Sequence, residues 1–183
     1  MTFDTDSGLR VPAADQDLDR RVRRLRELGL TDTPDAEFDA FAADLARAAD
    51  VPYAMVNLIT DHQYFAGLHS PAGSLEHPEV GRTMARDHGY CPDVLDRRVP
   101  LVLPDVYAAP HLASNPVVDR IGIRTYAGAP LIDEPTGTVL GTVCFVGTEP
   151  RLLQAGQHAL ELIKERRDAL MNLIYQRIDH TTR

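Results

Sequence analysis

The chain has 183 residues, 44% of them hydrophobic and 25% charged, and a formal net charge of −8. That length suits one domain with a substantial core, and the acidic balance argues against a general binder of nucleic acid or of an anionic membrane surface. No apolar run approaches the roughly 20 residues of a bilayer span, and the opening MTFDTDSGLRVPAADQD lacks the apolar stretch of a secretory signal, so a cytoplasmic protein is expected. The two cysteines, Cys91 and Cys144, do not make a disulfide framework, and without a CxxC no zinc site of standard spacing is expected.

Residues 1–16 are polar, contain Gly8 and Pro12 and lack periodicity, which predicts a flexible leader ahead of a single domain over 17–180. Leu18, Val22, Leu25 and Leu28 recur at helical spacing and predict a helix over 17–29, with the basic run Arg20 to Arg26 as its solvated face. Thr33 as cap, Pro34 at the first position and acidic Asp35 and Glu37 open a helix over 34–49, with Phe38, Phe41 and Leu45 on one face. VPYAMVNLIT, 51–60, is a strand; Asp61 and His62 form a turn, and QYFAGLH is its hairpin partner. Residues 70–87 are rich in Gly, Pro, Ser and His and predict a long loop, a length that usually carries function or mobility.

DHGYCPDVL, 87–95, brings His88, Tyr90 and Cys91 together and holds a short helix over 91–96. VPLVLPD, 99–105, is a strand ended by Pro104, and 111–124 is one or two short helices broken by Pro116. RTYAGAPLI and TVLGTVCFVG, 124–132 and 138–147, are strands joined by the turn DEPTG. A helix over 154–179 closes the chain, with Leu160, Ile163, Leu170, Ile174 and Ile178 at near-heptad spacing. Hairpins in the middle and helices at both ends predict an α+β fold with an antiparallel sheet, the long helices on one face and the irregular 70–120 segment on the other.

LTDTPDAEFDAFAADLARAADVPYAMVNLI, VPLVLPDVYAAPHLASNPVV, TYAGAPL and TGTVLGTVCFVG followed by EPR, in this order and spacing, resemble a GAF domain. The likeness is to those beside bacterial histidine kinases and nucleotide cyclases and to the stand-alone kind of actinobacteria, and it covers about residues 20–175. It implies a GAF/PAS-like fold: a six-stranded antiparallel sheet with terminal helices on one face and an irregular helix and loop layer over a pocket on the other. It also implies a sensory or regulatory module that often dimerises through its terminal helices. Val22, Leu25, Ile163, Leu170, Ile174 and Ile178 are then candidates for a homodimer interface, unless that stripe only covers the sheet; a signalling protein is the other candidate partner.

GAF domains bind cyclic nucleotides, haem, bilins or small metabolites, and some bind nothing detectable. Of the cyclic-nucleotide signature only Asn115 and Asp133-Glu134 are present. His62, His69, His77, His88 and His111 are expected in loops and turns on the pocket side; His88 and Cys91 are three apart, but no second closely spaced pair completes a metal or haem site. Chromophore-bearing relatives place His directly after the thiol, where this chain has Pro92. Haem, bilin and metal are therefore not expected. Free methionine sulfoxide reductases, which share the fold, use pocket cysteines; Cys91 would be the nucleophile, activated by His88 or Arg86, and Cys144 the resolving thiol. Cys144 lies in an apolar strand, where free cysteine usually acts as a small hydrophobe. Redox sensing by Cys91 alone is a softer alternative. No hydrolase or nucleotide-triphosphatase motif is present.

The sequence thus predicts a non-enzymatic sensory domain for an unidentified small molecule, with a ligandless dimerisation scaffold and a thiol-dependent protein as alternatives. From expected strand ends and loops, the pocket candidates are Tyr53, Asn57, Tyr64, His88, Cys91, Asp105, Arg124 and Tyr126. Arg124 and Tyr126 share strand parity and are expected to hold an anionic or carbonyl-bearing ligand together.

Overall fold

Every residue of the strand Tyr53–Ile59 is buried, because alternate side chains enter two separate apolar clusters. Tyr53, Met55 and Ile59 join one, and Ala54, Val56 and Leu58 the other; a strand covered on both faces reads as a continuous apolar run. The computed structural model describes residues 2–3, 10–11, 15–108 and 115–181. In chain order these form β1 (Thr2–Phe3), β2 (Arg10–Val11), α1 (Leu18–Glu27), α2 (Ala36–Ala49), β3 (Tyr53–Ile59), β4 (His62–His69), β5 (Thr83–Ala85), α3 (Cys91–Arg97), β6 (Leu101–Leu103), a single 3₁₀ turn (Val106–Ala108), α4 (Pro116–Ile121), β7 (Thr125–Asp133), β8 (Thr138–Gly147) and α5 (Ala155–Thr181).

The main sheet runs β5-β4-β3-β8-β7-β6 with every neighbouring pair antiparallel. It is the six-stranded α+β architecture expected from the sequence. Helices α1, α2 and α5 cover one face through Leu25, Phe38, Leu45, Ile163, Leu170 and Ile174. The other face is covered by α3, α4 and their connections through Tyr90, Val94, Val106, Val118 and Ile121. β3 and β8 are distant in sequence but adjacent in the sheet. A Cβ at Gly141 of β8 would overlap the Asn57 carbonyl, so glycine there lets the two strands close up.

Several details differ from the sequence expectations. Asp35, not Thr33, caps α2: its Oδ1 accepts from the Glu37 and Phe38 amides, both at 3.0 Å. Pro116 opens α4 instead of breaking a helix, as its missing N–H and fixed φ permit at a first position. The 70–87 loop carries β5 as a sheet edge. Within the leader, Thr2–Phe3 pairs with Arg10–Val11; the rest of residues 1–14 lies outside the described residues.

Four of the six dimer candidates are also corrected. Leu25, Ile163, Leu170 and Ile174 are buried in the chain's own core at 4%, 0%, 0% and 1% exposure. Side chains that already fill the space under the sheet are not available to a second copy. Ile178 packs half-buried on the same cluster, and Val22 is half-buried. Among the described residues no helix is long and apolar enough to cross a membrane.

Candidate functional site

Between the sheet and the outer layer lies a cavity of about 200 Å³. Met55, Phe65, Tyr126, Cys144 and Val146 form its sheet wall, and Met84, Tyr90, Cys91, Val117, Ile121 and Ile123 much of the rest. Two charged side chains, Glu79 and Arg120, belong to its boundary, and both are exposed. The wall follows from strand parity: Met55 pairs with Cys144 and Tyr126 with Val146, so these four point to the same side.

Gly128 lies opposite Cys144 in the ladder, and a Cβ there would overlap the Tyr126 hydroxyl and ring. The missing side chain lets the Tyr126 ring lie along the sheet. It brings the Tyr126 Oη to 3.5 Å from the Cys91 Sγ.

Two amides hold the segment that delivers Cys91. Gln63 Nε2 donates to the Ala85 and His88 carbonyls, both at 2.7 Å, while its Oε1 accepts from Asn57 Nδ2 at 2.8 Å. Asn115 Nδ2 donates to the Gly89 carbonyl at 2.7 Å, and its Oδ1 accepts from the Gly89 amide at 3.0 Å and the Val117 amide at 3.2 Å. One side chain therefore caps α4 and ties it to the turn before Cys91. Gly89 adopts φ +73°, a left-handed turn conformation suited to glycine.

The Cys91 Sγ lies 3.6 Å from the Cys144 Sγ, which in turn lies 3.9 Å from the Met55 Sδ. Both cysteines are free and buried. Their surroundings are not hydrocarbon alone. Asn57, Gln63 and Thr142 are buried beside them, and Asn57 Oδ1 and Thr142 Oγ1 make no hydrogen bond among the described residues. The two thiols are driven apart in acidity. The Cys91 thiol is held below its ordinary value by the Cys144 hydrogen bond first, which outweighs burial, with further help from Thr142, Tyr126 and Asn57. The Cys144 thiol is raised, by its bond to Cys91 first and by burial next. Burial likewise raises Tyr126 and pushes Tyr90 up to about 12.

Of the candidates from sequence, Cys91 and Tyr126 line the cavity. Tyr53 packs in the same cluster and donates from its hydroxyl to the Pro78 carbonyl at 2.8 Å, and Asn57 stands behind the thiols. Tyr64 faces the helices instead. Register explains this: a bulge between Val56 and Asn57 pairs Asn57 with Phe65 and Leu58 with Tyr64, whereas the pairing of Ala54 with His69, continued unbroken, would set Tyr64 opposite Ile59 on the cavity face.

Arg124 does not join Tyr126 either. It precedes β7, pairs with both Asp105 oxygens at 3.1 and 2.9 Å, and stacks 4.8 Å from the Tyr107 ring centroid. Asp105 is thereby an ion-pair partner, not part of the cavity wall. His88 is 30% exposed beside Asp87, and Arg86 pairs with Asp15, so neither is what lowers the Cys91 thiol. None of His62, His69, His77 and His88 lines the cavity, and His111 lies outside the described residues. Among the described residues no three His, Cys, Asp or Glu side chains are grouped to hold a metal ion.

Sequence reasoning weighed Cys144 only as a resolving thiol and left it among the core hydrophobes, and it missed Thr142, Gln63 and the outer apolar wall. Cys144 and Val146 share parity in β8 and could have been paired with a cavity, but only the adjacency of β3 and β8 shows which cavity.

The family model described as GAF domain matches residues 33–166. Among solved structures, the GAF domain of an Acinetobacter phosphoenolpyruvate-protein phosphotransferase is similar at 13% identity and TM-score 0.58, over 93% of this chain and 100% of that one. The blue-light absorbing form of the Thermosynechococcus elongatus PixJ GAF domain is similar at 15% identity and TM-score 0.55, over 93% and 96%. A free methionine-R-sulfoxide reductase from Neisseria meningitidis, solved with its substrate, is similar at 18% identity and TM-score 0.53, over 92% and 97%. At these identities the likeness is one of fold. No curated protein matches the chain.

Proposed function

Because the chain belongs to the GAF domain family, a signalling and ligand-binding fold, we propose that it is a sensory module whose ligand is a small neutral molecule held in the cavity between the sheet and α3–α4. The observation that carries this reading is the cavity itself, about 200 Å³ with mostly apolar walls, in which the Tyr126 hydroxyl lies 3.5 Å from the Cys91 Sγ. An apolar protein cavity of roughly 150 Å³ is large enough for benzene. This one suits a molecule of phenol or indole size, with an apolar body and one hydroxyl, carbonyl or N–H to meet the Tyr126 hydroxyl. The charged Glu79 and Arg120 stay exposed, so a charged ligand would have no buried counter-ion.

The small volume and Pro92 after Cys91 both argue against a covalently held bilin. Asn115, the remnant of a cyclic-nucleotide signature, is engaged with Gly89 and Val117. Output is taken to pass to a second copy of the chain or to a signalling partner, by a shift between two arrangements of the outer layer. The test is native mass spectrometry of freshly purified protein with an absorption spectrum, followed by thermal melts with indole and phenol. A carried small molecule or a saturable rise in melting temperature supports the reading. A protein that carries nothing and melts unchanged with both probes refutes it.

One observation favours a second reading, a thiol enzyme: the two sulfurs lie 3.6 Å apart in the cavity wall. Turnover of free methionine-R-sulfoxide with a dithiol reductant, lost in Cys91→Ser, would establish it; no turnover by the wild type removes it.

A further inference from the structure

Two buried cysteines in a core usually behave as small hydrophobes, and the neighbours of Cys91 and Cys144 are what set this pair apart. Asn57, Thr142 and the Tyr126 hydroxyl cluster about Cys91, all three residues at 2% exposure or less. Thr142 Oγ1 is left without any hydrogen bond among the described residues. A buried donor left unpaired costs stability, and the Thr142 and Tyr126 hydroxyls can donate to a thiolate at Cys91. We infer that Cys91 and Cys144 are a dithiol that a small hydroperoxide entering the cavity oxidises to an intramolecular disulfide.

The geometry requires little motion. The sulfurs stand 3.6 Å apart, and a disulfide bond of about 2.05 Å needs a closure of roughly 1.5 Å. Cys144 is fixed in mid-strand, paired on both sides by Met55 and Gly128, so Cys91 at the start of α3 is the side that moves. Both sulfurs are reached through the cavity they line.

The roles follow from the chemistry. The Cys91 thiolate attacks one oxygen of the hydroperoxide, the O–O bond breaks, and the alcohol leaves with a proton. Cys91 is then a sulfenic acid. Cys144 loses its proton and attacks the Cys91 Sγ; the S–O bond breaks and water leaves. Two thiols and one hydroperoxide become one disulfide, one alcohol and one water. A bond to Cys144 draws the Cys91 sulfur toward β8 and removes its ionisable hydrogen. Gly89, two residues before Cys91, is tied to α4 by Asn115, so the pull reaches the cavity's outer wall. This last step rests on the cavity being the ligand site.

The test exposes the reduced protein to one equivalent of tert-butyl hydroperoxide, unfolds it, labels it with N-ethylmaleimide and measures the intact mass. The wild type is expected to lose two hydrogens and take no label. Cys144→Ser is expected to stop at a sulfenic acid that dimedone traps on Cys91, and Cys91→Ser to keep its thiol at the same dose. Two labelled thiols in the treated wild type, or a disulfide found only between chains, would overturn the inference. Indole binding by the reduced and oxidised forms then tests the coupling, with a tenfold or larger difference expected. Equal binding removes the coupling, whereas binding by neither form refutes the ligand reading and leaves the disulfide result standing.

Discussion

Replacing Asn115 by Ala isolates the clamp that positions Cys91. The change removes the cap of α4 and the two bonds to Gly89, leaving the Gly89 amide and carbonyl without their partner. An N-cap typically contributes about 1 kcal/mol, and each neutral hydrogen bond at a half-buried site about 0.5–1 kcal/mol net. The sum is about 2–3 kcal/mol. The loss falls on the turn before α3, while Phe38, Leu45 and Ile163 on the opposite face keep their packing. Local opening of the Cys91 segment should therefore become easier by most of that amount, a factor of roughly 30 in its open population for 2 kcal/mol. The assay is labelling of the native protein by iodoacetamide followed by mass spectrometry, with urea unfolding alongside. Cys91 labelling should accelerate by about that factor. A labelling rate within twofold of wild type, with a urea midpoint unchanged, would refute the claim that Asn115 holds this segment.

Gly128→Ala places a methyl where the Tyr126 ring lies, at a cost of about 1–3 kcal/mol for overpacking. With the Tyr126 hydroxyl displaced, the pH profile of Cys91 alkylation should move to higher pH; an unmoved profile would exclude Tyr126 as a donor to the thiolate. At the other face, burial alone would raise the fully buried Asp133, but its bonds to Arg24, Thr136 and Tyr175 outweigh that and hold it below 3.8. The unfolded chain therefore binds the proton first, and this carboxylate's stabilisation is present above about pH 4 and lost as pH falls through its lower folded value. Urea melts between pH 7 and 3 should show a steeper acid loss in wild type than in Asp133→Asn; equal slopes would contradict the assignment. Ile174→Lys buries a charge at a position 1% exposed and should unfold the chain outright; a folded monomer by circular dichroism and sedimentation would show instead that Ile174 served an interface.

Much of the frame was legible in the sequence for local reasons. The apolar period of 36–49 and 155–181 and the β-branched runs of 53–59 and 138–147 name their elements, because those residues bury one helix face or both strand faces. Cys91 and Tyr126 were recognisable as pocket residues from loop position and strand parity. The rest depended on long-range facts. A single bulge after Val56 turned Tyr64 to the helix face. Asp105 drew Arg124 away from the cavity through an ion pair nineteen residues apart. The Cys91–Cys144 contact spans 53 residues and exists only because β8 inserts between β3 and β7, a pairing that no local pattern encodes. The near-heptad stripe of α5 was equally compatible with a partner helix and with the sheet, and only burial distinguished them.

The central claim is that the cavity beside Cys91 and Cys144 is the ligand site. Its most direct test is a two-dimensional amide NMR titration of the reduced protein with indole. Saturable shifts should concentrate at Met55, Cys91, Tyr126, Cys144 and Val146, leaving Leu45 and Ile163 on the helix face unmoved. The absence of saturable shifts, or shifts confined to the helix face around Leu45 and Ile163, would contradict it.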